Sequence, residues 1–198
     1  IDHPDLISAQ HVPLPPYIAQ NDTLAEEYQT IYAKTNGSKA APTAGLHFTE
    51  ELKDKVKTVR HWAEITLHVG LGTFAPLSKE QLAAGRLHEE WFEIDETTAR
   101  KISNSDHVTA VGTTSVRTLE TISKDSPSLK GSTDILIQPG YEFKRVNSLI
   151  TNFHLPGTSL LLLVEAFVGS TSEAQRLYDH AVAEEYRFYS FGDCMLIL

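Results

Sequence analysis

The stretch ITNFHLPGTSLLLLVEAF, residues 150–167, constrains the fold more than any other part of the chain. It begins like a buried strand, turns at Leu155-Pro156-Gly157 and continues as an apolar segment. Its longest apolar run, residues 160–164, ends at Glu165 and is far shorter than the ~20 residues that cross a bilayer. The stretch therefore predicts a strand, a turn that displays His154, and a helix whose residues 160–164 pack in the core.

Two other segments have the same build as this corner. APTAGLHFTEEL and VGTTSVRTLE each lead a turn of small residues into a helix start. Helix N-termini expose unpaired N–H groups and a positive dipole end, so they suit anions. A further bend, HVGLGTF, places glycines after a strand, where the backbone can approach a ligand closely. We expect His47, Gly72, Thr114 and His154 to converge on one cleft at the ends of sheet strands.

Strand and helix patterns alternate along the chain. This order predicts an α/β fold with a mixed β-sheet flanked by helices. No boundary is visible after about Asp22, so residues 1–198 are expected to form a single α/β catalytic domain, with residues 1–22 as an extended, Pro-rich lead-in. Asn147-Ser148, between YEFKRV and LITNFHL, fits a two-residue hairpin turn.

Charge and cysteine content limit the class of protein. The net charge of −9 argues against a basic nucleic-acid binder, although it allows a local basic face. A single cysteine, Cys194, allows neither an internal disulfide nor a multi-cysteine zinc site, and fits a reducing cytoplasm. The first residues resemble no signal peptide, and we expect neither a membrane partner nor a start at the natural N-terminus, since the chain begins without Met.

Other candidate residues allow two interpretations. His88 and Glu90 lie two apart in LHEEWFEI, on one face if this segment is a strand, and could be a base-and-acid pair or a solvated edge. Arg117 lies in the first turn of a helix, where a cation opposes the dipole, so a partner anion from a ligand or an acid is expected. The histidines fit no compact ligand motif, and no metal is predicted.

Several longer motifs occur together and in order. They include PLPPYI, AAPTAGLHF, TLHVGLGTF, H-x-E at His88 and Glu90, AVGTTSVRTLE, LITNFHLP, LVEAFVG and YRFYSFGDCMLI. From about His11 to Leu198 the chain thereby resembles the S-adenosylmethionine:tRNA ribosyltransferase-isomerase family of queuosine biosynthesis. It departs from the family pattern at Gln20, Gly85 and Gly157.

The resemblance implies a tRNA-modifying transferase. The ribosyl part of S-adenosylmethionine would be transferred and isomerised onto 7-aminomethyl-7-deazaguanine at the tRNA wobble position, giving epoxyqueuosine with release of adenine and methionine. S-adenosylmethionine is then a co-substrate, and no cofactor is implied. The family also has a small β-barrel domain, which we expect to be absent from this chain. Two alternatives remain, a diverged or truncated relative without activity and a plain RNA-binding module.

The implied chemistry needs groups that move protons. The sulfonium acidifies the adjacent C5′ protons, so a base is required, and the departing adenine needs a proton donor; histidine suits both tasks near neutral pH. The catalytic candidates are His47, His68, His88, Glu90 and His154. The candidates for substrate binding are Thr43, Gly45, Gly70, Gly72, Thr73, Thr113, Thr114, Arg117, Asn152, Arg187 and Asp193. Basic residues expected to gather near the cleft for tRNA are Lys39, Arg86, Lys144, Arg145 and Arg187.

Overall fold

The computed structural model describes residues 27–35, 37–38, 40–70, 77–122 and 128–198. A 3₁₀ helix at Thr43–His47 precedes the regular elements. The α-helices are α1 (Glu50–Val59), α2 (Lys79–Ala84), α3 (Glu96–Ser103), α4 (Thr113–Thr121), α5 (Ser159–Phe167) and α6 (Thr171–Ala183). The strands are β1 (Thr66–His68), β2 (Arg86–Glu93), β3 (Thr109–Val111), β4 (Lys130–Ile135), β5 (Ser148–Asn152) and β6 (Cys194–Ile197).

The described strands form two three-stranded sheets. In the first sheet, with the order β1-β2-β4, both pairings are antiparallel. In the second, with the order β3-β5-β6, β3 pairs parallel to β5 and β6 pairs antiparallel to it. The predicted α/β class with a mixed sheet and flanking helices is confirmed. That residues 1–198 form one domain stays a prediction.

The hairpin predicted at Asn147-Ser148 is wrong. Ser148 begins β5, which pairs with β3 and β6, and residues 141–147 form no strand. The Asn147 side-chain oxygen instead accepts a hydrogen bond from the Val108 N–H at 2.8 Å, and the Asn147 N–H donates to the Val108 carbonyl at 2.9 Å. Asn147 therefore aligns the start of β5 beside β3, a contact between segments 39 residues apart.

The corner at residues 150–167 has the predicted order of strand, turn and helix. Thr158 is the N-cap residue of α5, since its side chain accepts a hydrogen bond from the Leu161 N–H. Leu163 and Val164 are 1% and 0% exposed and pack in the core, and Leu161 is partly buried and packs against it, but Leu160 and Leu162 are partly buried and belong to no core cluster. The prediction that all of residues 160–164 are core is therefore wrong at these two leucines. No helix in the described ranges has the length and apolar character that a membrane span requires.

Helix α4 contacts both sheets. It packs on β3 and β5 of the second sheet and on β4 of the first. Arg117 donates from Nη1 to Glu90 Oε2 on β2 at 2.7 Å and from Nε to the Ile135 carbonyl at 3.1 Å. The side chains of Arg117 and Glu90 are 4% and 3% exposed, so this is a buried ion pair. Burial lowers the pKa of Arg117, and the neighbouring charge of Glu90 opposes that shift.

The entry to α4 depends on a glycine. Gly112 precedes the helix with φ +90° and ψ 147°, a conformation that residues with a Cβ rarely adopt. It offers no side-chain cap, whereas the other described α-helices each begin with a side chain that accepts a hydrogen bond from the first turn. The first N–H groups of α4 therefore have no side-chain acceptor from its N-cap residue.

The ion pair yields a prediction about stability. Glu90→Gln leaves the Arg117 charge buried without its counter-charge, so we expect a loss of about 3–5 kcal/mol in the free energy of unfolding. The double variant Glu90→Leu/Arg117→Met removes both charges and is expected to recover most of that loss. Urea denaturation of the two variants and the parent measures both effects. A double variant no more stable than Glu90→Gln would contradict the ion-pair explanation.

Candidate active site

One pocket lies where three corners of the chain meet. Its walls come from the 3₁₀ helix, from the start of α4, from the corner between β5 and α5, and from the loop before β6. The polar side chains that line it are those of Thr43, Thr113, Thr114, Thr151, Asn152, His154, Thr158, Tyr189 and Ser190. The sequence-predicted corners at Thr114 and His154 therefore share one cavity.

Asn152, the last residue of β5, links this pocket to His47. Its Nδ2 donates to His47 Nε2 at 3.0 Å, and its Oδ1 accepts from Thr43 Oγ1 at 3.2 Å. Nδ2 also lies 3.5 Å from the Asp193 carbonyl, which can only accept a hydrogen bond. With the amide in this orientation, His47 Nε2 accepts the hydrogen bond, which assigns the proton of the neutral ring to Nδ1.

Charges near His47 act on its pKa in opposite directions. Burial lowers the pKa of His47, the Asp193 carboxylate raises it, and the Arg187 guanidinium lowers it. Arg187 Nη2 donates to Asp193 Oδ1 at 2.7 Å, and these hydrogen bonds lower the pKa of Asp193 to about 2. The structure thus brings five sequence-predicted residues into one connected network: Thr43, His47, Asn152, Arg187 and Asp193.

Hydrogen bonds hold both the ring and the backbone of His154. Its ring Nε2 lies 2.8 Å from Thr151 Oγ1, and its backbone N–H donates to the Tyr178 hydroxyl on α6 at 3.0 Å. Burial lowers the pKa of His154 to about 4. The ring is therefore neutral at neutral pH. Thr151 on β5 orients the ring, and Tyr178 on α6 holds the backbone of His154.

The loop before β6 adds a strained residue to the pocket wall. Tyr189 has φ +72°, a conformation that is rare for a bulky side chain. Its N–H donates to the Phe153 carbonyl at 3.2 Å, which holds the loop against the end of β5. Backbone strain of this kind concentrates at binding and catalytic sites. Tyr189 thus strengthens the identification of this cavity as the functional site.

Five residues of this site were not among the sequence-predicted site residues, and one of them, Thr158, is the N-cap residue of α5. Tyr189 and Ser190 belong to the motif YRFYSFGD, which is a signal that could have placed them at the site. Thr151 precedes His154 by three residues, a spacing without a distinctive pattern. Tyr178 lies on the apolar face of α6, 24 residues from His154, and nothing local in the sequence connects the two.

Other candidate side chains lie elsewhere. Glu90 and Arg117 bind each other, which supplies the acid expected for Arg117, and neither lines the pocket. His88 is exposed on β2, although Glu90 on the same strand is buried. A register shift between Arg86 and Glu90 interrupts the pairing of β2 with β4, so the expected common face of His88 and Glu90 is not found. His68 packs on Trp91 with ring centroids 4.9 Å apart.

The glycine candidates have different surroundings. A Cβ at Gly45 would lie 2.0 Å from the Tyr32 hydroxyl oxygen, so this glycine allows close packing inside the chain. Gly70 has open space on its Cβ side and follows Val69, which lines the pocket. Gly72 and Thr73 lie outside the described residues. Within the described ranges, no group of three or more His, Cys, Asp or Glu residues is arranged to hold a metal ion.

Comparison with known proteins identifies the family. The family model described as Queuosine biosynthesis protein matches residues 4–197. The chain belongs to this family. The S-adenosylmethionine:tRNA ribosyltransferase-isomerase of Solibacter usitatus is 53% identical over 191 residues, which cover 95% of this chain and 54% of that protein. The protein of the same name from Thermotoga maritima is 50% identical over 193 residues, which cover 94% and 57%. The resemblance read from the motifs is confirmed.

A solved structure supports the fold. The crystal structure of S-adenosylmethionine tRNA ribosyltransferase from Thermotoga maritima matches with a TM-score of 0.63 and 43% sequence identity. The match covers 79% of this chain and 51% of that chain. The chain thus spans about half the length of the family members that it matches.

The low pKa of His154 predicts how stability changes with pH. The unfolded chain takes up a proton near pH 6.5 and the folded chain only near pH 4, so stability is complete above about pH 6.5 and falls as the pH drops toward 4. The expected loss is at most about 3 kcal/mol. His154→Gln removes the titrating ring and should lose correspondingly less. Urea denaturation of both proteins between pH 7 and 4 measures the difference, and a constant difference across this range would show that His154 titrates normally.

Proposed function

We propose that this chain carries the reaction site of an S-adenosylmethionine:tRNA ribosyltransferase-isomerase. The reaction transfers and isomerises the ribosyl part of S-adenosylmethionine onto 7-aminomethyl-7-deazaguanine at the tRNA wobble position, with release of adenine and methionine. S-adenosylmethionine is consumed as a co-substrate without a separate cofactor, and the cytoplasm is the site of action. The observation that carries the proposal is the pocket lined by His154, by Asn152, which binds His47 outside the lining, and by an uncapped helix start. The chain is also 53% and 50% identical to two proteins of that name.

The start of α4 is proposed to bind the carboxylate of the methionine part. Its first N–H groups have no side-chain acceptor from Gly112, and the hydroxyls of Thr113 and Thr114 line the pocket beside them. N–H donors together with the positive end of the helix dipole favour an anion at this position. Arg117, one turn further along, is neutralised by Glu90 and fixes the helix rather than the ligand.

His47 is proposed as the hydrogen-bond donor to the departing adenine. With Nε2 accepting from Asn152, the ring of neutral His47 has its proton on Nδ1 and can donate only from that atom. Asn152 thus acts as a positioning residue, and the Arg187–Asp193 pair holds the loop that supplies its other acceptor.

His154 is proposed as the group that accepts a C5′ proton. Its ring is neutral at neutral pH, so it has a nitrogen without a proton. The positive sulfonium next to C5′ lowers the basicity that this step requires. Thr151 and Tyr178 hold the ring and the backbone of His154 in place, which fixes the base relative to the substrate. Gly70, Gly72 and Thr73 are proposed to border the substrate, and we assign no step to His68 or His88.

The proposal predicts a selective loss of turnover. His154→Ala is expected to lower kcat for adenine release by about 10²-fold or more, the usual effect of losing a general acid or base. His88→Ala is the matched control, because His88 is exposed on β2 and does not line the pocket. The assay uses the full-length protein with S-adenosylmethionine and tRNA that carries 7-aminomethyl-7-deazaguanine.

Two outcomes would contradict this prediction. If the parent protein releases no adenine under these conditions, the proposed activity is wrong. If the parent is active and His154→Ala has the same kcat as His88→Ala, the pocket is not where the proton is taken. Denaturant melts of both variants separate a loss of turnover from a loss of folded protein.

A further inference from the structure

A second depression, the basic groove, lies apart from the active-site pocket. It is formed by the C-terminal end of α1, residues 60–64 and the first turns of α3. The charged side chains that line it are those of Lys57, Arg60, Glu64, Asp95 and Lys101, and the imidazole of His61 lies beside them. None of these residues was among the sequence-predicted candidates for binding RNA.

The two carboxylates of the basic groove already have partners inside the protein. Burial alone would raise the pKa of Glu64, but hydrogen bonds from Lys34 and Trp62 outweigh it, so that the pKa is lowered. Asp95 caps α3 and accepts from the Thr98 N–H at 2.7 Å, which lowers the pKa of Asp95. These carboxylates are therefore bound to donors of the protein and are poor acceptors for the groove's own cations.

The cations of the basic groove lack comparable partners. In the described part of the chain, no carboxylate lies within 4.0 Å of Arg60 or Lys101, although the charge of Lys101 contributes to the lowered pKa of Asp95. Arg60 and Lys101 donate only to backbone carbonyls, and Lys57 has one acid at 3.7 Å in an exposed pair. An external anion can therefore approach these side chains without breaking a strong internal ion pair.

Of the five basic residues predicted from the sequence to meet tRNA, two are paired with acids and one is buried. Arg86 binds Asp134 at 3.3 Å and Arg187 binds Asp193 at 2.7 Å. Arg145 is 7% exposed. Lys144 is exposed, and Lys39 lies outside the described residues. Among the described residues, the basic groove exposes Arg60 and Lys101 without an acid within 4.0 Å, whereas Lys144 alone of the predicted residues is exposed in that way.

The position of the basic groove relative to the pocket fits an extended chain of phosphates. Glu64 borders the groove and Val69 borders the pocket, at opposite ends of the segment that contains β1. Five residues of extended chain span ~17 Å. A stacked nucleic-acid strand advances ~3.4 Å per nucleotide, so about five nucleotides cover the same distance.

We infer that the basic groove binds the phosphodiester backbone of the RNA substrate while a base of that RNA occupies the pocket. The inference rests on the proposed function for the identity of the partner. Contacts to phosphates fix the register of a nucleic acid and supply much of its affinity without reading its sequence. Such a surface can operate in a chain of net charge −9, because only the local potential matters for close phosphate contacts.

Salt-dependent tRNA binding by the full-length protein tests this inference. Lys57→Ala/Arg60→Ala removes two charges from the basic groove. The control variant, Lys55→Ala/Lys130→Ala, removes the same number of charges. Its two lysines lie outside the basic groove and pair with Glu51 and Glu93. The groove variant is expected to bind tRNA about tenfold more weakly, and its slope of log K against log salt is expected to be smaller by roughly 2. The control is expected to bind like the parent.

Three results would overturn the inference. In the first, the groove variant binds tRNA like the parent and keeps the parent's binding to poly-glutamate. In the second, it binds tRNA like the parent but loses binding to poly-glutamate, which would indicate an acidic protein partner. In the third, the control variant shows an equal loss of tRNA binding. Adenine release is measured in parallel at saturating tRNA, where the groove variant should keep the kcat of the parent. A parent that binds tRNA through the groove but releases no adenine would contradict the proposed activity and leave the groove inference intact.

Discussion

The buried ion pair between Arg117 and Glu90 is the interaction on which the rest of the site depends. It attaches α4 to β2 of the first sheet, while the opposite face of α4 packs in the core of the second sheet through Val116 and Leu119. An isolated charge could not remain in this interior, so the helix is stable there only with its partner in place. The ion pair therefore fixes the position of the α4 N-terminus, where the pocket opens.

The site is assembled from the start of a helix and the end of a strand, which contacts between distant parts of the sequence hold in place. Gly112 turns the chain from β3 into α4 and leaves the first N–H groups available, while β5 places Asn152 and His154 at its carboxyl end. Asn152 then reaches His47 across a sequence separation of 105 residues. Both histidines are neutral near pH 7, because burial lowers their pKa values, so each ring has one nitrogen with a proton and one without.

The sequence predicts local features of this site better than its pairings. The corners at Thr114 and His154 follow from turn residues and helix caps, which act within a few positions. The partner of Arg117, 27 residues away, and the contact of Asn147 with Val108, just before β3, depend on how strands assemble, which no short motif encodes. The register shift in β2 between Arg86 and Glu90, with His88 exposed and Glu90 buried, is likewise not visible in an alternating sequence pattern.

The central claim is that S-adenosylmethionine binds at the α4 start with His47 and His154 beside it. Nuclear magnetic resonance of the ¹⁵N-labelled full-length protein, titrated with S-adenosylmethionine, tests it most directly. The largest shifts are expected at the amides of Thr113 and Thr114 and at the ring nitrogens of both histidines, with His47 protonated at Nδ1 before ligand is added. Shifts confined to other residues, or a His47 ring protonated at Nε2, would contradict this arrangement.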